Sequence, residues 1–222
     1  MSFILNIDTA VGIASVCLAK DGEALQTLIN ETRNDHAGWL HPSIDTIVNN
    51  AGITVKDIDA IAVTIGPGSY TGLRVGLATA KGLCFAMNIP LIVISTLDMM
   101  AFAVKNEAID LICPMIDARR MEIFTAVYNK NLDQIESSSS MIVDEKSFSQ
   151  LLNSHKILFC GNGSFKLQGI ISNKNAMFSN IIGNATSLAP LSYKKFCKKE
   201  FADLAYVEPH YIKEFYSVSR KT

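Results

Sequence analysis

The densest run of chemically useful residues is Gly66-Pro-Gly-Ser-Tyr-Thr-Gly-Leu-Arg-Val-Gly76, continuing through Ala80-Lys-Gly82. Gly66, Gly68 and Gly72, with the hydroxyls of Ser69 and Thr71, stand just ahead of a helical pattern. Backbone N–H groups in such a loop can converge on an anion at the positive end of the helix, and a phosphate is the group it suits. The run is not a P-loop of the G-x-x-x-x-G-K-[ST] kind, because Lys81 comes a helix later. A tight turn whose glycines let strand and helix approach closely accounts for the same residues equally well.

Other chemistry has less to stand on. Ser69 is the residue a peptidase reading would select, yet no Ser/His/Asp set accompanies it. The histidines at 36, 41, 155 and 210 form no H-E-x-x-H unit. His36 and His41, five apart, fall on different faces of a helix, so no metal site is expected. Cysteines at 17, 84, 113, 160 and 197 include no C-x-x-C pair and mostly sit in apolar runs, which predicts reduced, buried thiols rather than a nucleophile.

Composition narrows the classes further. With 222 residues, 49% of them hydrophobic, the chain can bury the core of one large domain or two small lobes. Twenty basic side chains against 21 acidic ones leave no global field to hold a nucleic-acid backbone, so direct nucleic-acid binding is not expected from charge. Lys194, Lys195, Lys198 and Lys199 read as a solvated helix face rather than an RNA contact. The first residues lack a basic region and reach Asp8 too soon for a signal peptide. The apolar stretch from Leu83 to Val104 is broken by Asn88, Pro90 and Asp98, so no membrane association is expected and the cytoplasm is the expected location.

The elements that must position these residues follow from periodicity. Phe3 to Asp8, Ile13 to Ala19 and Ala24 to Asn30 read as a three-stranded meander, with Asp21-Gly22 as a hairpin turn. Leu40, Ile44, Ile47 and Val48 set a helix from 36 to 50. A strand from 58 to 65, a helix from 71 to 87, a strand from 91 to 95 and a helix capped by Ser95 or Thr96 complete a β-β-β-α-β-α-β-α order. Small residues at 72, 76, 78, 80 and 82 let something approach the 71–87 helix closely, either this chain's own sheet or a helix of another molecule. Ile109 to Ile116, Asp117 and Glu122 to Tyr128 echo the opening strand, acidic turn and strand. This predicts a second lobe built like the first with the two acidic turns facing each other. Ser137 to Ser140 read as a solvent loop, 156–160 as a strand and 188–204 as a helix.

Ile4-Leu-Asn-Ile-Asp-Thr9, the Gly66–Gly76 run, Ala80-Lys-Gly82, Ile94-Ser-Thr-Leu97, Ile116-Asp-Ala-Arg119 and Glu208-Pro-His-Tyr211 occur in an order that resembles the TsaB (YeaZ) family over nearly the whole chain. The resemblance implies an α/β, two-lobed actin-like ATPase fold (sugar kinase/Hsp70, ribonuclease H-like). It sets lobes at 1–106 and 107–222, with the last helix or strand packing back on the first. In that fold Asp8 and Thr9 would stand at the phosphate end of a nucleotide cleft, beside Gly66, Gly68, Ser69 and Thr71, with Gly161 and Gly163 on the adenosine side. Asp117-Ala-Arg-Arg120 replaces the glycine-rich turn of nucleotide-binding relatives, so no cofactor is required and there is room only for weak ATP or ADP binding. Thr96 and Met100 stand where the paralogue TsaD carries a metal-binding H-x-x-x-H pair. The implied role is a non-catalytic scaffold for TsaD in forming threonylcarbamoyladenosine on tRNA. TsaE would join the pair, a homodimer would form when the chain is alone, and tRNA would be met through the complex. Trp39, Ile47, Arg74, Leu77, Ala78 and Lys81, on the helices 36–50 and 71–87, are the expected interface. An actin-like kinase and a peptidase-like hydrolase are the alternatives.

Overall fold

The structure, a computed structural model, describes residues 1–30, 32 and 35–213. The chain opens with β1 (Phe3–Asp8), β2 (Ser15–Lys20) and β3 (Glu23–Ile29), an antiparallel meander in which Phe3 pairs with Lys20 and Asp8 with Ser15. Asp21 and Gly22 both take positive φ, 50° and 87°, as the tight hairpin demands. α1 (His36–Asn50) starts on the carboxylate of Asp35, which accepts from Gly38 N. After a single 3-10 turn come β4 (Ala60–Thr64), α2 (Tyr70–Met87), β5 (Leu91–Ile94) and α3 (Thr96–Val104). Ser69 caps α2 and Ser95 caps α3, each side chain accepting a backbone N–H of the first turn. Asn88, at φ 54°, ends α2 in the left-handed conformation two residues before Pro90.

The second half is β6 (Leu111–Asp117), β7 (Glu122–Asn129), β8 (Gln134–Ile142), α4 (Ser149–Ser154), β9 (Ile157–Cys160), α5 (Ser164–Gln168), β10 (Ala176–Phe178) and α6 (Ala185–Cys197). The two sheets have orders β3-β2-β1-β4-β5 and β10-β9-β6-β7-β8. Read outward from the first strand of each, they have one topology: two antiparallel neighbours on one side, two parallel ones on the other. The duplication expected from the echo of β1–β2 in β6–β7 is therefore present.

Alternation along β1, β2 and β4 divides the first sheet's faces. Leu5, Ile7, Val16, Leu18, Ile61 and Val63 bury against Leu40, Ile44 and Ile47 of α1 and Leu77 and Cys84 of α2. On the opposite face, Ile4, Ala62, Ile92 and Ile94 share one cluster with Leu97 and Met100 of α3, Leu188 of α6, and Ile112, Ala126 and Leu158 of the second sheet. α3 and α6 thus lie between the sheets and pack on each other, α6 against the first sheet and α3 against the second. Tyr128 of β7 donates to Asp98 of α3 across this layer at 2.6 Å.

Three expectations change. Ser137 to Ser140 are not a loop but lie in β8, with Ser139 paired to Thr125. An edge strand needs only its backbone groups paired, so its polar side chains gave no apolar signal. The last helix is 185–197 rather than 188–204. Lys199 at φ 57° turns the chain away, and Ala202 then pairs with Leu91 of the first sheet. The 106/107 division separates the sheets but not the packing. Ser192 Oγ donates to Asn6 Oδ1 at 2.7 Å, Ala185 N donates to Ser15 Oγ at 2.9 Å, and Ala185 and Ala189 bury against Cys17 and Ala19. Residues 185–213 therefore return to the first lobe, while 214–222 lie outside the described residues. Lys194, Lys198 and Lys199 are exposed as expected, but of the three only Lys194 lies within the helix, Lys198 capping it and Lys199 following it.

Candidate functional site

Both first strands end in an acid, and between the two strand ends lies a cleft of about 590 Å³. One wall is the turn Ala10–Gly12 with the loop 67–71. The other is Ile116–Arg119 with Phe124 and Asn162, and the segment 210–213 closes a third side.

Asp8 does not reach into this space. It is 3% exposed, and its carboxylate accepts from Thr64 Oγ1 at 2.7 Å and Ala10 N at 3.1 Å. Burial pushes its pKa up to about 6, although both hydrogen bonds favour the charged form. Thr9 is wholly buried with its hydroxyl donating to Gly72 O at 2.7 Å, so it fastens β1 to α2 rather than facing a ligand. The glycines serve the same closeness. A Cβ on Gly72 or Gly76 would collide with Thr9, one on Gly68 with Ala10 O, and one on Gly66, at φ 120°, with His210 O. The close-approach reading of the loop accounts for each of them. Gly68, Ser69 and Thr71 still line the cleft, where the N-terminus of α2 opens, and the Ser69 oxygen is occupied in capping Gly72 N.

The second acid is more exposed and is held in place. Asp117 accepts from Lys166 Nζ at 2.5 Å and from Arg119 N at 2.6 Å. Burial alone would raise its pKa, but these contacts outweigh it and hold the carboxyl below its ordinary value. Arg119 and Arg120 take φ of 70° and 46°, the left-handed turn that glycine would make freely. Gly161 and Gly163 pack on the backbone of Met115. Gly161 borders an adjoining crevice of about 420 Å³ that shares Val11, Gly12 and Asn162 with the cleft and is lined further by Met99, Met100, Phe165 and Ile181, whereas Gly163 borders neither space. The acidic turns do face one cleft, but of the eight residues expected at a nucleotide only Gly68, Ser69 and Thr71 line it. Among the described residues no group of three or more His, Cys, Asp or Glu could hold a metal ion.

The expected interface residues divide by helix face. Ile47 and Leu77 are 0% and 4% exposed and belong to the core beneath α1 and α2, so neither can meet a partner without unfolding the face. Trp39 is half-buried against the same core. Arg74 and Ala78 are exposed, while Lys81 is half-buried with Nζ donating to Val207 O at 3.1 Å. The outward stripe of α2 is Arg74, Ala78, Gly82 and Phe85, the last 84% exposed. Phe85 was missed because an apolar helix residue reads as core by default. Tyr211 was missed because only the fold brings it to α2. There Arg74 stacks 3.9 Å from the Tyr70 ring and donates through Nε to Tyr211 Oη at 3.2 Å.

Residues 29–215 match the family model described as TsaD: tRNA N6-adenosine threonylcarbamoyltransferase. The chain is 30% identical over 225 residues to the tRNA threonylcarbamoyladenosine biosynthesis protein TsaB of Haemophilus influenzae, covering 95% of this chain and 93% of that one. It is also 30% identical over 143 residues to Bacillus subtilis TsaB, where the match covers 63% of this chain and 62% of the relative. A solved Pseudomonas aeruginosa protein described as similar to peptidase YeaZ superposes with a TM-score of 0.85 at 24% identity, covering 96% of this chain and 100% of that one. The activator of 2-hydroxyisocaproyl-CoA dehydratase from Clostridium difficile, solved with ADPNP, gives 0.50 at 11% identity over 90% and 98% of the two chains. Those two likenesses establish the two-lobed actin-like fold. With its TsaD-type family match and a TsaB relative aligned nearly end to end, the chain belongs to the TsaB (YeaZ) family.

Proposed function

We propose that the chain takes part in tRNA threonylcarbamoyladenosine formation as a non-catalytic subunit that binds and activates the TsaD transferase. The observation that carries this reading is the state of the cleft in a member of this family. Its first acid is buried and hydrogen-bonded inward, its second is ion-paired, and two arginines replace the turn where a nucleotide's phosphates would need backbone access. Such a cleft is poorly equipped for phosphoryl chemistry but leaves the fold intact as a docking body. Weak ATP or ADP binding at the α2 end of the cleft is compatible with this role, and no cofactor is required for it. The peptidase named in the description of the YeaZ neighbour has no counterpart at Ser69, whose oxygen accepts Gly72 N and which, among the described residues, has no imidazole bonded to it.

The docking face is the outward side of α1 and α2. Ala78 and Gly82 allow another helix to approach closely, and Phe85 offers a large apolar anchor of the kind that concentrates binding energy. TsaD would bind this face, a second copy of the chain would take it when TsaD is absent, and TsaE would join the assembled pair. The complex, not this chain alone, would meet the tRNA. The cytoplasm is the site of action in this reading, and no described helix is long and apolar enough to cross a membrane.

Size exclusion with light scattering, on the chain alone and mixed with TsaD, tests the proposal. Wild type should yield a species containing both chains. Phe85→Glu, altering a side chain that touches little of its own fold, should keep the wild-type Tm and weaken the complex by about 30-fold or more, as for a buried aromatic anchor. If wild type elutes independently of TsaD with TsaE and ATP present, the scaffold reading fails. If Phe85→Glu binds normally, the face is wrong.

A further inference from the structure

Residues 208–213 run from one lobe to the other along the cleft mouth. His210 N donates to Ile65 O at 2.7 Å, where β4 ends, and the His210 carbonyl seats on Gly66 where no Cβ would fit. Tyr211 then stacks on Tyr70, with ring centroids 5.3 Å apart, and accepts from Arg74 Nε. Two residues on, Lys213 forms an ion pair with Glu122 of β7, on the second sheet. His210, Tyr211, Ile212 and Lys213 are themselves walls of the cleft. Both side-chain anchors are solvent-accessible polar contacts, the class that holds weakly and is easily released.

We propose that this segment is a strap that holds the two lobes closed over the cleft, and that its Arg74 anchor makes closure respond to the protein docked on α2. Arg74 belongs to the outward stripe of α2. A partner group that engages its guanidinium competes with Tyr211 and frees the strap, and by linkage an open cleft favours the partner. The docked protein is the TsaD subunit of the preceding section, so this second half rests on that reading.

Hydrogen exchange followed by mass spectrometry, with double spin-label distances between β3 and β8, tests both halves on the full chain. Tyr211→Phe removes only the hydroxyl that Arg74 reaches, and Glu122→Gln removes only the far ion pair. Each should speed exchange across 208–213 about three- to tenfold and lengthen or broaden the inter-lobe distance, with exchange in β1 and β6 unchanged. Wild-type exchange and distances in both variants would overturn the strap. Adding TsaD to wild type should produce the same acceleration at 208–213. Co-elution with TsaD without that acceleration would overturn the coupling. Absence of co-elution would instead count against the partner reading, and the variants of the isolated chain would still decide the strap.

Discussion

At the scale of single residues, Asp8 carries the clearest consequence. Its folded pKa of about 6 stands above the ordinary 3.8, because burial disfavours the carboxylate more than Thr64 and Ala10 favour it. Between those pH values the native state holds a proton that the unfolded chain has released, so stability falls as pH rises from about 4 to 6 and then levels off. At about 1.4 kcal/mol per pH unit, the loss at neutral pH is on the order of 3 kcal/mol. Asp8→Asn keeps an oxygen for the same two donors and never ionises. It should exceed wild type by about 2–3 kcal/mol in urea unfolding at pH 8, with the gap closing toward pH 4. A difference independent of pH would mean that Asp8 is not buried as described. The acid's identity was legible in the sequence, as the last residue of a short apolar strand. Its inward orientation was not, because it depends on Thr64, 56 residues away.

At the scale of the element, α2 shows how one helix serves two surfaces. Its register places Gly72, Gly76, Leu77, Ala80 and Cys84 inward and Arg74, Ala78, Gly82 and Phe85 outward. Gly76→Ala would drive a methyl into the Thr9 hydroxyl and should cost about 1–3 kcal/mol, whereas a Cβ at Gly82 meets open space. Gly82→Ala should therefore stabilise the isolated chain by up to about 1 kcal/mol through helix propensity while crowding the proposed partner face. Thermal unfolding of the pair checks this, and similar shifts in the two variants would refute the assigned faces. Leu77→Glu, at a residue expected on the interface, would instead put a charge in the core and unfold the protein. The small residues of α2 were readable as a close-approach signal. Which ones approach the sheet and which face outward was not, since apolar residues lie on both sides of this helix.

At the scale of the molecule, the shared layer of α3 and α6 makes two similar sheets one folding unit. A fragment of residues 1–106 would expose Ile4, Cys17, Ala19, Ala62 and Ile92, which α6 and the second sheet cover in the whole chain. It should show no cooperative unfolding transition by circular dichroism, while the full chain shows one. A sharp transition in the fragment would make the first lobe an independent domain after all. Ser192→Ala probes the same layer at one atom. It deprives the buried Asn6 oxygen of its donor and should cost about 1–3 kcal/mol in the same experiment.

By itself the sequence determined the order of strands and helices in the first half, the glycine loop ahead of α2, the paired acidic turns and the family. All of these are local patterns of period, turn chemistry and motif. It led elsewhere for Ser137 to Ser140, because an edge strand is made by backbone pairing rather than by apolar side chains. Only the tertiary structure decided that Thr9 ties β1 to α2, that Ile47 and Leu77 face the core, that α6 returns between the sheets, and that Tyr211 and Lys213 span the cleft. Each of these rests on contacts between residues distant in the chain, set by how the whole molecule packs, which no window of sequence contains.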